Sequence, residues 1–176
     1  MIPNDIIERA KKIKLLILDM DGVMTDGRII YGVYGDELRF FNVQDGFGVT
    51  LLRRAGIKTV IITAKKTRIV KARARDLKVE RVYAGFMDKL AALEDIVRRF
   101  GFSAEEMCFV GDDLIDLPVL KRVGLAVAVP NAVSEAREAA HFVTSKKGGR
   151  GAVREVCDLI LKAQDKYKDV VARYSN

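Results

Sequence analysis

Short unbroken apolar runs, each leading into a polar or glycine residue, recur along the chain. Residues 15–18 lead into Asp19, residues 59–62 into Thr63, and residues 107–110 into Gly111-Asp112; residues 125–129 form a fourth run. Continuous apolar runs of this length suit strands buried on both faces of a parallel sheet. Helical patterns fall between and after them, over residues 45–55, 66–77, 87–100, 133–140 and 151–174. Gly56 and Gly101 supply stop signals for the first and third. Strands alternating with helices predict right-handed βαβ crossovers, and so an α/β doubly wound parallel sheet of Rossmann-like type. One segment departs from that rhythm. Residues 28–41 (RIIYGVYGDELRFF) place β-branched and aromatic residues on either side of Gly35-Asp36, which reads as an inserted β-hairpin too short to be a cap domain. Such a hairpin cannot bury both of its faces alone. Its apolar side chains are expected to pack against other subunits.

With 176 residues, 49% of them apolar, the chain fits a single domain spanning 1–176, with a C-terminal tail from about residue 145. No apolar run approaches the roughly 18 residues of a membrane span. The amphipathic, charged N-terminus lacks a signal-peptide pattern, so a soluble, cytoplasmic protein with no membrane partner is expected. Cys108 and Cys157 have no metal-like spacing and read as reduced, buried thiols. The net charge of +7 is spread along the chain and lacks a recognised nucleic-acid module. Its densest stretch, Lys65 to Lys78, reads as a basic helix that is solvated or attracts an anionic substrate. A nucleic-acid partner is therefore not expected.

In open α/β sheets, ligands bind beyond the carboxyl ends of the strands. That edge would gather Asp19, Asp21, Thr63, Asp112, Asp113 and Asp116. Two carboxylates about 4 Å apart repel by roughly 4 kcal/mol at an effective dielectric near 20. Such a cluster calls for a cation, and oxygen-only donors favour Mg²⁺ over Zn²⁺. The one histidine, His141, lies in a separate apolar stretch and reads as structural. A cation beside a carboxylate suits attack on a phosphoryl group: the charge on phosphate is neutralised while a carboxylate acts as nucleophile. Asp19 and Asp21, two positions apart, are expected on the same side of an extended segment, and a second carboxylate can carry the proton. Asp-x-Asp-Gly and Gly-Asp-Asp are each common in loops. Their weight comes from following predicted buried strands in this order.

Those residues are similar to a known family. LLILDMDGVMTDG, VIIT, MDK and FVGDDLIDLPVL, over residues 14–129, resemble the four motifs of haloacid-dehalogenase-superfamily phosphatases. FFNVQDGFG and KKGGRGAVREVCDLIL extend the likeness to about residue 165. They resemble the capless branch that hydrolyses 3-deoxy-D-manno-octulosonate (KDO) 8-phosphate in lipopolysaccharide synthesis.

The resemblance implies that Asp19 is nucleophile and Mg²⁺ ligand, and that Asp21 is acid/base and carbonyl ligand. Thr63 and Lys89 would hold phosphoryl oxygens, and Asp112 would complete the metal ligands. Asp113 and Asp116 would support them, one orienting Lys89 or a metal-bound water. Asp21, Asn42, Val43, Gln44, Asp45, Gly46, Thr50, Lys65, Arg73 and Lys89 would contact a small anionic sugar-acid phosphate. Gly148-Gly149-Arg150-Gly151 would be a mobile tail covering a neighbour's site in a homotetramer joined through the hairpin. The chain departs from the family pattern at Gln44, Ala64 and Lys65, where the family carries Arg, Gly and Arg. Phosphatases of nonulosonate 9-phosphates share the scaffold, and a related domain serves as a non-catalytic assembly module. A degenerate module would lose the nucleophile or metal ligands, and here all are present.

Overall fold

A computed structural model describes residues 2–34 and 37–174. Its central sheet has six strands in the order β5-β4-β1-β6-β7-β8. These are β1 (Leu15–Leu18), β4 (Lys58–Thr63), β5 (Arg81–Ala84), β6 (Met107–Gly111), β7 (Leu125–Ala128) and β8 (Phe142–Val143). All five pairings are parallel. Every residue of β1, β6 and β7 is buried, as continuous apolar runs require of a sheet covered on both faces. Strand order runs outward from β1 through β4 to β5, then restarts at β6 on the other side. The switch point is therefore the gap between β1 and β6, where a doubly wound sheet opens its ligand crevice.

The right-handed crossover rule places α2 (Val43–Arg54) and α3 (Arg68–Leu77) on one face. It places α4 (Lys89–Phe100), α5 (Leu117–Leu120) and α6 (Ser134–Ala139) on the other. The helix α1 (Asn4–Lys11) buries Ile6 and Ala10, one turn apart, against α7 (Ala152–Ala163), which also packs on α2. Sequence patterning missed β5 and β8. The first is an edge strand whose Arg81 faces water, and the second is only two residues long.

The C-terminal region differs from expectation. Residues 151–174 are two helices, α7 and α8 (Tyr167–Ala172), broken where Asp165 takes the left-handed φ of +57°. The Gln164 amide donates to the carbonyls of Ala10 and Ile13, fastening this break to α1. The expected tail from residue 145 is thus largely a core helix, since α7 buries seven residues.

The inserted hairpin is present but short. Strands β2 (Ile30–Tyr31) and β3 (Glu37–Leu38) pair Ile30 with Leu38 and Tyr31 with Glu37. The turn expected at Gly35-Asp36 lies outside the described residues. Ile30, Tyr31, Val33, Tyr34, Leu38 and Phe40 are all exposed.

The start of α7 lacks a capping side chain of its own, because Gly151 occupies that position. Asp45, 2% exposed in the first turn of α2, fills the role: its carboxylate accepts from the N–H groups of Gly151 and Arg154 at 3.2 and 2.8 Å. Unpaired donors at a helix start are costly when buried. We therefore expect Asp45→Ala to lower the unfolding free energy by about 1–2 kcal/mol, measured as a shift in denaturant midpoint. An unchanged midpoint would show that α7 does not depend on this cap.

Candidate active site

The segment after β1 forms the floor of the crevice. The Asp19 N–H donates to the Val110 carbonyl of β6, so the loop begins on the sheet itself. The chain then turns: the N–H groups of Met24 and Thr25 both donate to the Met20 carbonyl. The Thr25 hydroxyl accepts from Gly22 and Gly27, closing the loop from inside. Gly22 has φ of +90°, and a β-carbon there would overlap the Asp112 carboxylate. Asp21 therefore sits in a turn rather than in the extended segment expected of it.

Asn131 and the Gly148-Gly149 segment brace this loop from outside. The Asn131 side chain donates to the Gly22 carbonyl at 2.9 Å and accepts from the Gly148 N–H at 2.8 Å. The Gly149 N–H donates to the Val23 carbonyl. A β-carbon at Gly148 or Gly149 would overlap the backbone of Gly22 or Thr25. These glycines permit close backbone packing within the same chain. Arg150 beside them is exposed, its guanidinium 3.8 Å from Asp26.

The chemistry converges on a buried lysine. Lys89, the first residue of α4, is 1% exposed. A helix start is the positive end of the macrodipole, and burial disfavours an ammonium. Two carboxylates outweigh both effects: Asp19 at 2.6 Å and Asp116 at 2.5 Å. Burial alone would lower the Lys89 pKa, but Asp19 and Asp116 together raise it. The other Asp116 oxygen accepts from the N–H groups of Asp112 and Asp113 at 2.7 and 3.1 Å, fixing the turn after β6. Asp113 itself is exposed and caps that turn.

Asp19, Asp112 and Asp116 bring carboxylate oxygens within 4.8 Å of one another. Both Asp116 oxygens are engaged, by Lys89 and two backbone donors, which leaves Asp112 and Asp19, only one of whose oxygens meets Lys89, to hold a cation. Burial raises the pKa of Asp19 against the opposing pull of Lys89. Burial, then the charges of Asp19 and Asp116, push Asp112 up to about 8. Two hard, desolvated oxygen donors with no sulfur or imidazole in the cluster fit Mg²⁺.

Thr63 ends β4, next to β1, and is 2% exposed; its hydroxyl accepts from the Lys65 N–H. Lys65 is half-buried beside it. Asn42 caps α2, accepting from Gln44 and Asp45, while Val43 and Gln44 are exposed at the same helix start. Four other candidates make contacts within the fold. The Asp45 carboxylate is committed to α7. Gly46 abuts Arg73 so closely that a β-carbon would sit 2.7 Å from its guanidinium. The Thr50 hydroxyl donates to the Gly46 carbonyl within the helix. Arg73 stacks over the Phe41 ring at 5.0 Å and donates to the Asn42 carbonyl beside the helix start. His141 is structural as expected: Nδ1 accepts from the Ala126 N–H.

Sequence reasoning missed Asn131 and Arg39. The Arg39 side chain is fully buried, and its Nε lies 2.7 Å from an Asp21 carboxylate oxygen. An arginine inside an apolar hairpin run was the available signal, but nothing in the sequence named its partner.

A family model described as haloacid dehalogenase-like hydrolase matches residues 68–156. The chain is 48% identical to the 3-deoxy-D-manno-octulosonate 8-phosphate phosphatase of Yersinia pestis, over 94% of this chain and 88% of that protein. It is 46% identical to the Escherichia coli K12 protein of the same name, with the same coverage. Its fold matches the crystal structure of the Moraxella catarrhalis phosphatase in complex with magnesium ion, phosphate ion and KDO. The TM-score is 0.95 at 40% identity, over 97% of this chain and 98% of that one.

The raised pKa values of Asp19 and Asp112 make the metal-free fold take up protons that the unfolded chain releases. Stability contributed by these groups is full below the ordinary carboxylate range and is lost as pH rises toward about 8. Without metal, the thermal midpoint should show this fall. Saturating Mg²⁺ should raise the midpoint most at the upper end of that range. A Mg²⁺ effect of equal size across the range would contradict the assignment.

Proposed function

The chain belongs to the haloacid dehalogenase-like hydrolases, within the 3-deoxy-D-manno-octulosonate 8-phosphate phosphatase family, and on that premise we propose that it hydrolyses KDO 8-phosphate to KDO and phosphate. The observation carrying this reading is Asp19, held at the switch point by buried Lys89 and set beside Asp112. Lys89 engages one Asp19 oxygen, leaving the other to attack phosphorus in line. The new bond joins Asp19 to phosphorus, and the bond from phosphorus to the sugar oxygen breaks. Asp21 gives that oxygen a proton. Water then attacks the aspartyl phosphate, Asp21 takes its proton back, and phosphate leaves with Asp19 restored.

Lys89 and Thr63 balance charge on the phosphoryl oxygens. The side chains of Asp19 and Asp112 and the Asp21 carbonyl would hold Mg²⁺. When bound, the ion neutralises phosphate charge that would repel the nucleophile. Asp113 and Asp116 support this set, Asp116 by orienting Lys89. Asn42, Val43, Gln44 and Lys65 lie at helix and strand ends around the crevice. They supply the contacts that read the sugar acid. At position 65 a lysine gives a point charge where an arginine would give a planar fork.

Among the described residues no helix is long and apolar enough to cross a membrane. The reading includes a single domain working in the cytoplasm within lipopolysaccharide synthesis. It includes a homotetramer whose contacts form on the exposed apolar hairpin.

A phosphate-release assay over sugar-acid phosphates, including a nonulosonate 9-phosphate, tests the substrate. Release should be fastest from KDO 8-phosphate and should require Mg²⁺. A faster nonulosonate ester would move the chain to that substrate. Asp19→Asn should lower turnover at least about a hundredfold; full turnover in that variant rules out Asp19 as nucleophile. In sedimentation at micromolar concentration the protein should run as a tetramer, and a monodisperse monomer defeats the assembly proposal.

A further inference from the structure

Arg39 is the one buried residue among those described on the hairpin, most of whose other side chains are apolar and exposed. A guanidinium taken fully out of water is costly unless it is paired. Its nearest partner is Asp21: Nε lies 2.7 Å from one carboxylate oxygen, and one terminal nitrogen donates to the other at 3.5 Å. The other terminal nitrogen lies 3.2 Å from the Glu37 carboxylate and donates to the Thr67 hydroxyl at 3.1 Å. Thr67 also caps α3, so the guanidinium is located by the body of the protein as well as by the hairpin. The Nε approach is a charge contact rather than an aligned hydrogen bond, so the guanidinium holds Asp21 by a close ion pair and one longer hydrogen bond.

Asp21 needs such a hold. It sits in a turn two residues from Asp19, and its side chain is only partly covered. A free carboxylate there would be drawn to any cation shared by Asp19 and Asp112 and would be lost as a proton carrier. Asp21 is in fact absent from the group of carboxylates that converge within 4.8 Å. We infer that Arg39 is a positioning residue, which holds the Asp21 carboxylate away from the metal cluster and aimed at the leaving oxygen. The inference rests on the acid/base role proposed for Asp21. It gives the inserted hairpin a part in the reaction beyond any part in assembly.

The test compares leaving groups. The ratio kcat/KM reports steps through formation of the aspartyl phosphate. KDO 8-phosphate expels an alkoxide that needs a proton, whereas p-nitrophenyl phosphate expels an anion that does not. Arg39→Met should lower kcat/KM about 10- to 100-fold on the sugar ester and less than about threefold on the nitrophenyl ester. Arg39→Lys keeps the buried charge without the fork and should show the same selective loss at smaller size, which decides the matter if the Met variant does not fold. Asp21→Asn run in parallel separates the two claims. No selective loss in Asp21→Asn overturns its acid/base role, and this inference with it. Selective loss in Asp21→Asn, with equal losses on both esters or none in the Arg39 variants, overturns the inference alone.

Discussion

A lysine ammonium enclosed between the carboxylates of Asp19 and Asp116 is the interaction on which the remaining site geometry depends. It joins three separate pieces of chain: the loop after β1, the start of α4 and the turn after β6. Removing the lysine would leave two carboxylates facing each other in a desolvated place without their cation, typically more costly than a pair is favourable. The same ammonium sits at the wrong end of its helix for the macrodipole. Such an arrangement contributes little to stability in itself. What it gives is an oriented Asp19 carboxylate, with Lys89 opposing but not cancelling the burial that raises its pKa.

Around that ion pair, backbone closeness does the positioning. Gly22 admits the Asp112 carboxylate, Gly111 admits Asp116, and Gly148-Gly149 admit the catalytic loop itself. Asn131 links the last two with one donor and one acceptor. The apolar strands contribute rigidity: Asp19 and Asp112 continue directly from β1 and β6, adjacent parallel strands. Chemistry placed on strand ends inherits the precision of the sheet.

The architecture was legible because burial on both sheet faces leaves an unmistakable apolar run, as in LLIL of β1. Edge strands escaped for the converse reason: β5 carries Arg81 toward water, and β8 is too short to form a pattern. The resemblance named Asp19, Lys89 and Asp112, which the fold brings together. It could not separate residues that face the crevice from those spent on packing. Asp45 looks like a ligand in sequence but caps α7 across 106 positions of chain. The GGRG segment looks flexible, yet its glycines are needed for contact. Nothing in the sequence marked the role of Arg39, because a long-range ion pair has no sequence period. Each of these depends on a partner far away in the chain.

The central claim is that phosphate passes through a covalent bond to Asp19. Two successive in-line displacements at phosphorus restore its configuration, whereas one direct attack by water inverts it. The decisive measurement uses a sugar-acid ester whose phosphorus is made chiral with sulfur and oxygen isotopes. Net retention of configuration in the released thiophosphate is the predicted result. Net inversion would mean that water attacks directly, and Asp19 would then be only a metal ligand.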